Sequence, residues 1–316
     1  MYDVVALGEL LIDFTCTASD ADGYPTMAAH PGGAPANFLA ALAKFGTKTA
    51  MIGKVGTDAF GRLLCATLER AGIGTEGMVC SGDVFTTLAF VTLDASGDRE
   101  FSFSRKPGAD TQLRWDEVDK TLLDDTRVLH FGTLSLTDEP ARSATRAAVE
   151  YAKQAGKLVT FDPNLRKPLW RDLADAKREM LWGLSNADVV KISDEEVDFL
   201  WGLTPQAGAE KILREFGVRL VFVTCGKDGC WYQNRQAAGH VSSLAGVKVA
   251  DTTGAGDIFG GSAVYQLLQT GKAPDALTDA ELARITRFAC VSAGLSTTRP
   301  GGISSVPEKA DVLAAM

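Results

Sequence analysis

The sequence predicts an α/β fold, with a doubly wound and mostly parallel sheet, helices on both of its faces, and a small additional β-sheet. Short, continuously apolar runs recur along the chain, and helical patterns of about ten or more residues separate them. Such runs are typical of parallel strands that are buried on both faces, and the intervening helices provide the crossovers. Because 316 residues can surround one continuous sheet, we expect a single domain over residues 1–316.

The predicted strands share short length and continuous hydrophobicity, and they lie at 4–7, 128–131, 158–161, 188–192 and 220–224. The predicted helices share apolar residues at spacings of three and four, and they lie at 35–45, 139–154, 207–216 and 256–269.

A β-hairpin interrupts this alternation early in the chain. Segments 86–94 and 99–105 flank the turn sequence ASGD, and in the second segment Phe103 and another phenylalanine alternate with serines. A strand of this kind has one apolar and one polar face. Two interpretations stay open: an ordinary edge hairpin, or a lid over a cleft with covering segments at about 14–30 and 85–105.

Composition excludes several classes of function. The content of 46% hydrophobic and 23% charged residues is that of a globular protein, and the net charge of −8 disfavours a nucleic-acid partner. The first residues lack a signal-peptide pattern, and no apolar run reaches membrane-spanning length. Six cysteines without a CxxC pair indicate reduced thiols, so we expect a cytoplasmic protein without a membrane partner.

The strongest chemical signal is the glycine-rich start of a helix within 249–262. The small residues Gly254, Ala255 and Gly256 let backbone amides approach an anion at the positive end of the helix dipole. Asp257 follows in the first turn, where it would repel a phosphate unless it accepts the proton of an attacking hydroxyl. The alternative is that this acid only caps the helix.

A second glycine-rich segment precedes the first predicted helix. Gly32 and Gly33 would expose backbone amides, and Pro35 suits the first helical position. Asn37 offers both donors and an acceptor, a combination that suits sugar hydroxyls. The alternative is a simple loop followed by an alanine-rich packed helix.

Together the two segments resemble both halves of the pattern shared by ribokinase-like (PfkB) carbohydrate kinases, and the closer resemblance is to fructokinases. Further matching segments occur in the expected order at 6–14, 52–61, 101–110, 162–170 and 224–229. The resemblance implies the ribokinase-like fold and transfer of the ATP γ-phosphate to the terminal hydroxyl of fructose, which gives fructose 6-phosphate. Alternative substrates are 2-keto-3-deoxygluconate, with Arg105 or Arg166 facing its carboxylate, and ribose. A non-catalytic sugar or nucleotide sensor could keep the same fold.

The resemblance also implies roles for individual residues. The residues that match the family's sugar site are Asp13, Gly32, Gly33 and Asn37. The matching catalytic base is Asp257, beside the amide cradle of Gly254, Ala255 and Gly256. Phe103 would belong to the lid, and Arg166 would contact the sugar or the transferred phosphate unless it only pairs with Asp162.

The matching nucleotide turn contains Thr224, Gly226 and Gly229. Because the chain has no GxxxxGK[ST] motif, Mg²⁺ must help to neutralise the phosphates of ATP.

The metal positions depart in part from the family pattern. Glu196 matches a residue that orders Mg²⁺ through water, but Ser193 stands where the family often has asparagine. Asp251 and Thr253 match residues near a bound monovalent cation, for which oxygen ligands favour K⁺. Exposed edges of the lid hairpin also predict a homodimer.

Overall fold

The computed structural model describes residues 1–93 and 99–316, so the ASGD turn of the predicted hairpin lies outside the described residues. The strands in this part of the chain are β1 (Tyr2–Leu7), β2 (Leu11–Ser19), β3 (Pro25–Gly32), β4 (Thr49–Gly56), β5 (Ile73–Ser81), β6 (Leu88–Leu93), β7 (Arg99–Ser104), β8 (Thr126–Gly132), β9 (Leu158–Asp162), β10 (Val189–Ser193), β11 (Leu220–Thr224), β12 (Cys230–Asn234) and β13 (Ala238–Val241).

The α-helices of the same described ranges are α1 (Ala34–Lys44), α2 (Ala59–Arg70), α3 (Lys120–Asp124), α4 (Ala141–Gln154), α5 (Leu173–Asn186), α6 (Asp194–Trp201), α7 (Pro205–Phe216), α8 (Ala255–Thr270), α9 (Asp279–Ser296) and α10 (Lys309–Ala314). Among the residues that the structure describes, none of these helices is long and apolar enough to cross a membrane.

The larger sheet has the strand order β13-β12-β11-β10-β9-β8-β1-β4-β5 in the described residues. Its neighbours are parallel from β11 to β5, and β12 and β13 are added antiparallel at one edge. The core residues of α3 to α7 pack on one face, whereas those of α1, α2 and α8 to α10 pack on the other. This arrangement confirms the predicted doubly wound α/β class.

Strand β1 illustrates why a continuous apolar run forms such a sheet. Val5 and Leu7 join the core on one face, and Val4 and Ala6 join the core on the other. All four are at most 1% exposed. Side chains alternate across a strand, so a run without polar residues is stable only where helices cover both faces.

The smaller sheet has the order β3-β2-β6-β7 in the part of the chain that is described. β6 and β7 pair antiparallel, as the hairpin prediction requires, and β2 joins β6 in parallel. The two predicted covering segments thus belong to one sheet, since 14–30 supplies most of β2 and β3. The single domain and the lid role stay predictions.

The carboxyl ends of the parallel strands meet at the same edge of the larger sheet. β9 ends at Asp162, β10 at Ser193 and β11 at Thr224. Ligands of open α/β sheets bind in the crevice outside this edge. The candidate site is therefore expected at this edge.

Candidate active site

Helix α8 begins at the predicted glycine-rich segment. Its N-cap residue Gly254 has φ +75°, a left-handed conformation that favours glycine. Among residues 1–93 and 99–316, the structure gives the amides of Gly254 and Gly256 no hydrogen-bond acceptor, whereas the Ala255 amide donates to the carbonyl of Thr252 at 3.3 Å. Two of the three predicted amides are therefore unengaged at the positive end of the helix dipole.

Asp257 is the third residue of α8, and the fold brings it to the first helix of the chain. The amide Nδ2 of Asn37 in α1 donates to Oδ2 of Asp257 at 2.9 Å, across 220 residues of sequence. Both side chains are buried, at 8% exposure for Asp257 and 3% for Asn37. The two glycine-rich segments that the sequence singled out thus meet through this hydrogen bond.

Asn37 also has a buried acceptor without a partner among the described residues. Its Oδ1 has no hydrogen bond, although the side chain is fixed between two glycines. A Cβ atom on Gly302 would lie 2.1 Å from Oδ1, and a Cβ atom on Gly254 would lie 3.1 Å from Nδ2. A buried orphan acceptor is costly unless something donates to it, and a sugar hydroxyl is a suitable donor.

Burial raises the pKa of Asp257 above the ordinary value for an aspartate. The ammonium of Lys191, the hydrogen bond from Asn37 and the charge of Arg166 act in the opposite direction, and the charge of Glu196 adds to the increase. A carboxylate with a raised pKa is a stronger base, which is the property needed to take a proton from an alcohol.

Asp13 in β2 lies in the same electrostatic environment. Burial raises its pKa to about 6, the Arg166 charge lowers it, and the charges of Asp257 and Asp251 raise it further. Gly32 in the neighbouring strand β3 leaves room for the carboxylate, since a Cβ there would be 2.1 Å from Oδ2 of Asp13. The structure therefore brings Asp13 of the smaller sheet close enough to Asp257 of α8 for their charges to interact.

Gly33 is the N-cap of α1 and has φ +117°. A Cβ atom there would lie 2.5 Å from the carbonyl oxygen of Glu9, so the glycine is required by close backbone packing. Close packing therefore accounts for a glycine at this position, and the part of Gly33 in sugar binding stays a prediction.

Arg166 is half-buried, and its charge acts on both Asp13 and Asp257. Its Nη1 donates to the carbonyl of Leu165 at 3.3 Å. The alternative partner, Asp162, instead forms an ion pair with Lys191 at 3.0 Å. The charge of Arg166 thus acts on both the predicted sugar-binding acid and the predicted base.

Phe103 in β7 is half-buried and borders a cavity of about 230 Å³ between the smaller sheet and the segment after β9. The cavity lining also includes Arg105, Lys106, Asp138 and Leu169. This position places Phe103 near the segment that contains Arg166.

The predicted nucleotide turn joins β11 to β12. The Oγ1 of Thr224 donates to the carbonyl of Ile192 at 3.4 Å, and Gly226 has φ +51°. Gly229 has φ +99°, and a Cβ atom there would lie 2.0 Å from the carbonyl of Val241. These glycines therefore shape the turn itself, and their contact with a nucleotide stays a prediction.

Glu196 forms a capping box with Ser193 at the start of α6. Its Oε2 accepts from the Ser193 amide at 2.9 Å, and its Oε1 accepts from the Leu165 amide at 2.7 Å. These hydrogen bonds fix the Glu196 carboxylate against the segment that contains Arg166. Lone pairs remain on both oxygens, so Glu196 can hold the water shell of Mg²⁺, whereas Ser193 is a helix cap.

Asp251 joins the start of α8 to the loop at 297–302. Its Oδ1 accepts from the amide and the hydroxyl of Thr253 at 2.9 and 2.7 Å, and its Oδ2 accepts from the Gly301 amide at 2.9 Å. The predicted cation residues thus lie together and order the backbone beside the cradle. Binding of K⁺ there stays a prediction.

The model of the pfkB family carbohydrate kinases matches residues 1–309. The chain belongs to this family of carbohydrate kinases.

Individual relatives of this kinase cover nearly its whole length. Fructokinase-1 of Zea mays is 40% identical over 314 residues, which are 98% of this chain and 96% of that protein. The solved fructokinase of Xylella fastidiosa with bound ATP superimposes with a TM-score of 0.91 at 31% identity and covers 100% of this chain and 98% of its own. A double-mutant fructokinase of Vibrio cholerae O395 with fructose, ADP and potassium ion gives a TM-score of 0.87 at 31% identity, over 99% and 98% of the two chains. The predicted family and fold are therefore confirmed.

The structure of this pfkB kinase shows two charged residues of low exposure that the sequence interpretation missed, and one of them, Lys191, acts on Asp257. Glu9 is 2% exposed, and its Oε1 accepts from the Ala34 amide at the start of α1 at 2.9 Å. Lys191 is the only charged residue within strand β10. A charge inside an otherwise apolar strand signals a buried partner, and that signal could have pointed to Lys191.

Proposed function

We propose that this kinase is an ATP-dependent fructokinase that makes fructose 6-phosphate. The observation that carries the proposal is the buried Asp257 carboxylate, held by Asn37 beside unengaged amides at the start of α8. An anion cradle and a base in one helical turn are what phosphoryl transfer to an alcohol requires. The fructokinase names of the relatives and solved structures support fructose as the acceptor.

In this mechanism Asp13 and Asn37 accept hydrogen bonds from sugar hydroxyls and orient the terminal hydroxyl toward Asp257. Asp257 takes the proton of that hydroxyl while the hydroxyl oxygen of the sugar forms the new bond to the γ-phosphorus. The bond from the γ-phosphorus to the bridging oxygen breaks, and the electron pair leaves with ADP. The Gly254 and Gly256 amides and Arg166 stabilise the charge on the transferring group.

Mg²⁺ would neutralise charge on the ATP phosphates, and Glu196 is the residue that would hold its water shell. We also propose K⁺ near Asp251 and Thr253, in agreement with the potassium named for the Vibrio cholerae enzyme. Pairing of two chains through the smaller sheet, a role of that sheet as a lid, and a cytosolic location stay predictions of the sequence.

One of the two arginines that could face the carboxylate of 2-keto-3-deoxygluconate, Arg105, already has an acidic partner. Arg105 pairs with Asp110 at 2.7 Å, and both side chains are at most 2% exposed. Its other donors bind Oγ1 of Thr137 at 2.8 Å and the carbonyl of Leu134 at 2.7 Å. Because Asp110 neutralises this cation, Arg105 is poorly suited to bind a substrate carboxylate.

The test is ADP release from ATP with fructose, ribose, glucose and 2-keto-3-deoxygluconate in parallel, for the natural chain and for Asp257→Asn. The amide keeps the size of the carboxylate and cannot accept the proton. We expect the highest kcat/KM with fructose and its loss in the variant. A higher kcat/KM with another sugar would overturn the substrate, and sugar-independent ADP release alone would overturn the kinase assignment.

A further inference from the structure

A buried ion pair lies directly beneath the first turn of α8. Nζ of Lys191, from β10, lies 3.0 Å from Oδ2 of Asp162, from β9, and the side chains are 12% and 7% exposed. A Cβ atom on Gly256 would lie 2.8 Å from the same Nζ. The ammonium therefore packs against the residue that precedes Asp257.

This is an unfavourable place for a cation in isolation. The N-terminus of a helix carries partial positive charge, which repels Lys191, and burial adds a desolvation penalty. Acids must offset both costs. Asp162 contributes most to raising the pKa of Lys191, followed by Glu196 and Asp257, so the lysine stays charged against the effect of burial.

We propose that Lys191 is a positioning residue for phosphoryl transfer: held by Asp162 against the first turn of α8, its ammonium keeps Asp257 ionised and able to accept the sugar proton. The inference rests on the proposed role of Asp257 as the base. Lys191 is the strongest of the influences that oppose the effect of burial on the pKa of Asp257. Asp162 holds the ammonium in place, but its own negative charge acts on Asp257 in the opposite direction.

Other charged groups face the same carboxylate. Arg166, from the segment after β9, favours the ionised form of Asp257, whereas Glu196 in α6 and Asp13 in β2 oppose it. His130 in β8 stays neutral near neutral pH, because burial and the Lys191 charge lower its pKa to about 3.

The test compares the acid limb of kcat/KM for fructose in Lys191→Met, Asp162→Asn and the double variant. Loss of the ammonium raises the pKa of Asp257, so the limb of Lys191→Met should move up by about one pH unit. Activity should then fall about tenfold at pH below the limb and little at high pH. Loss of the Asp162 charge should move the limb down, and the double variant should return toward the natural profile.

Lys191→Arg, which keeps the charge, is the matched control and should retain the natural limb. Thermal melting of each variant reports whether it folds. An unmoved limb in Lys191→Met, or equal shifts in both single variants, would overturn the inference. So would a pH-independent loss of kcat, which would mean direct contact with the phosphate. If Asp257→Asn keeps the full rate, the proposed function fails; if it is inactive while the limb is unmoved, only the role of Lys191 fails.

Discussion

At the scale of single residues, the site is built from acids whose burial would be unfavourable without partners. Asp257 has a raised pKa and keeps one hydrogen bond from Asn37. Burial raises the pKa of Asp13 to about 6, and the charge of Arg166 opposes this increase by favouring the ionised carboxylate. Groups with perturbed pKa values that converge on one crevice are typical of active sites.

Replacement of Asp257 by alanine should lower kcat by roughly 10² to 10⁴-fold, the usual contribution of a general base. KM for fructose should change less, because the Asp13 carboxylate and Oδ1 of Asn37 can still accept hydrogen bonds from the sugar. Steady-state ADP release measures both constants. A variant with near-normal turnover would remove Asp257 from the mechanism.

Glu9 predicts a pH dependence of stability. Burial raises its pKa from 4.5 to about 7. A carboxyl group whose pKa is higher in the folded than in the unfolded state contributes stability that is fully present below the unfolded-state pKa. This stability is lost as the pH rises through the folded-state pKa. When the pH is raised from 5 to 8, the free energy of unfolding of the natural chain should therefore fall by about 2 kcal/mol relative to that of Glu9→Gln.

Urea unfolding at pH 5 and pH 8 measures this difference. The exposed Glu69 provides the control, since Glu69→Gln removes a carboxylate that lies at the surface. Equal stability differences at both pH values for Glu9→Gln would contradict the expected titration.

At the scale of elements, the loop at 297–302 packs against the start of α1 and the start of α8. Gly302 has φ −89°, which alanine can adopt, so space rather than conformation is the constraint. The missing Cβ would meet both Oδ1 and Nδ2 of Asn37, at 2.1 and 2.6 Å. Gly302 thus fixes the side chain that donates to Asp257.

Gly302→Ala should displace Asn37 and lower kcat by roughly ten- to a hundredfold, since hydrogen bonds to charged groups contribute about 1.5–3 kcal/mol. Gly82→Ala is the control, because an added Cβ there meets no atom within 4 Å. Turnover and melting temperature should both be measured. A similar loss of turnover in the two variants would exclude a specific effect through Asn37.

The elements themselves were predictable because their signals are local. The run at 220–224 coincides with β11, and the other predicted strands differ from the observed ones by one or two residues at their ends. Pairings across the chain have no local signal. The sequence shows that Lys191 stands in an apolar strand, but only the order β10-β9 shows that Asp162 is its partner.

At the scale of the whole molecule, the predicted sugar-binding acid and the predicted base come from different parts of the fold. Asp13 lies in β2 of the smaller sheet, whereas Asp257 is the third residue of α8, which packs on the larger sheet. The family resemblance predicts sugar binding for Asp13 and catalysis for Asp257, and the charge of Arg166 acts on both acids. A sugar held by both acids would link the sheets, so binding should reduce motion between them.

Hydrogen exchange can test this expectation with peptides from β2 and β3. Fructose and a non-hydrolysable ATP analogue together should slow their exchange by about tenfold or more, because closure adds contacts that must break before opening. Peptides from β1 and β8, central in the larger sheet, should change little since they are buried already. Equal slowing in both sheets would indicate general stabilisation by ligand and would contradict closure of the smaller sheet over the sugar.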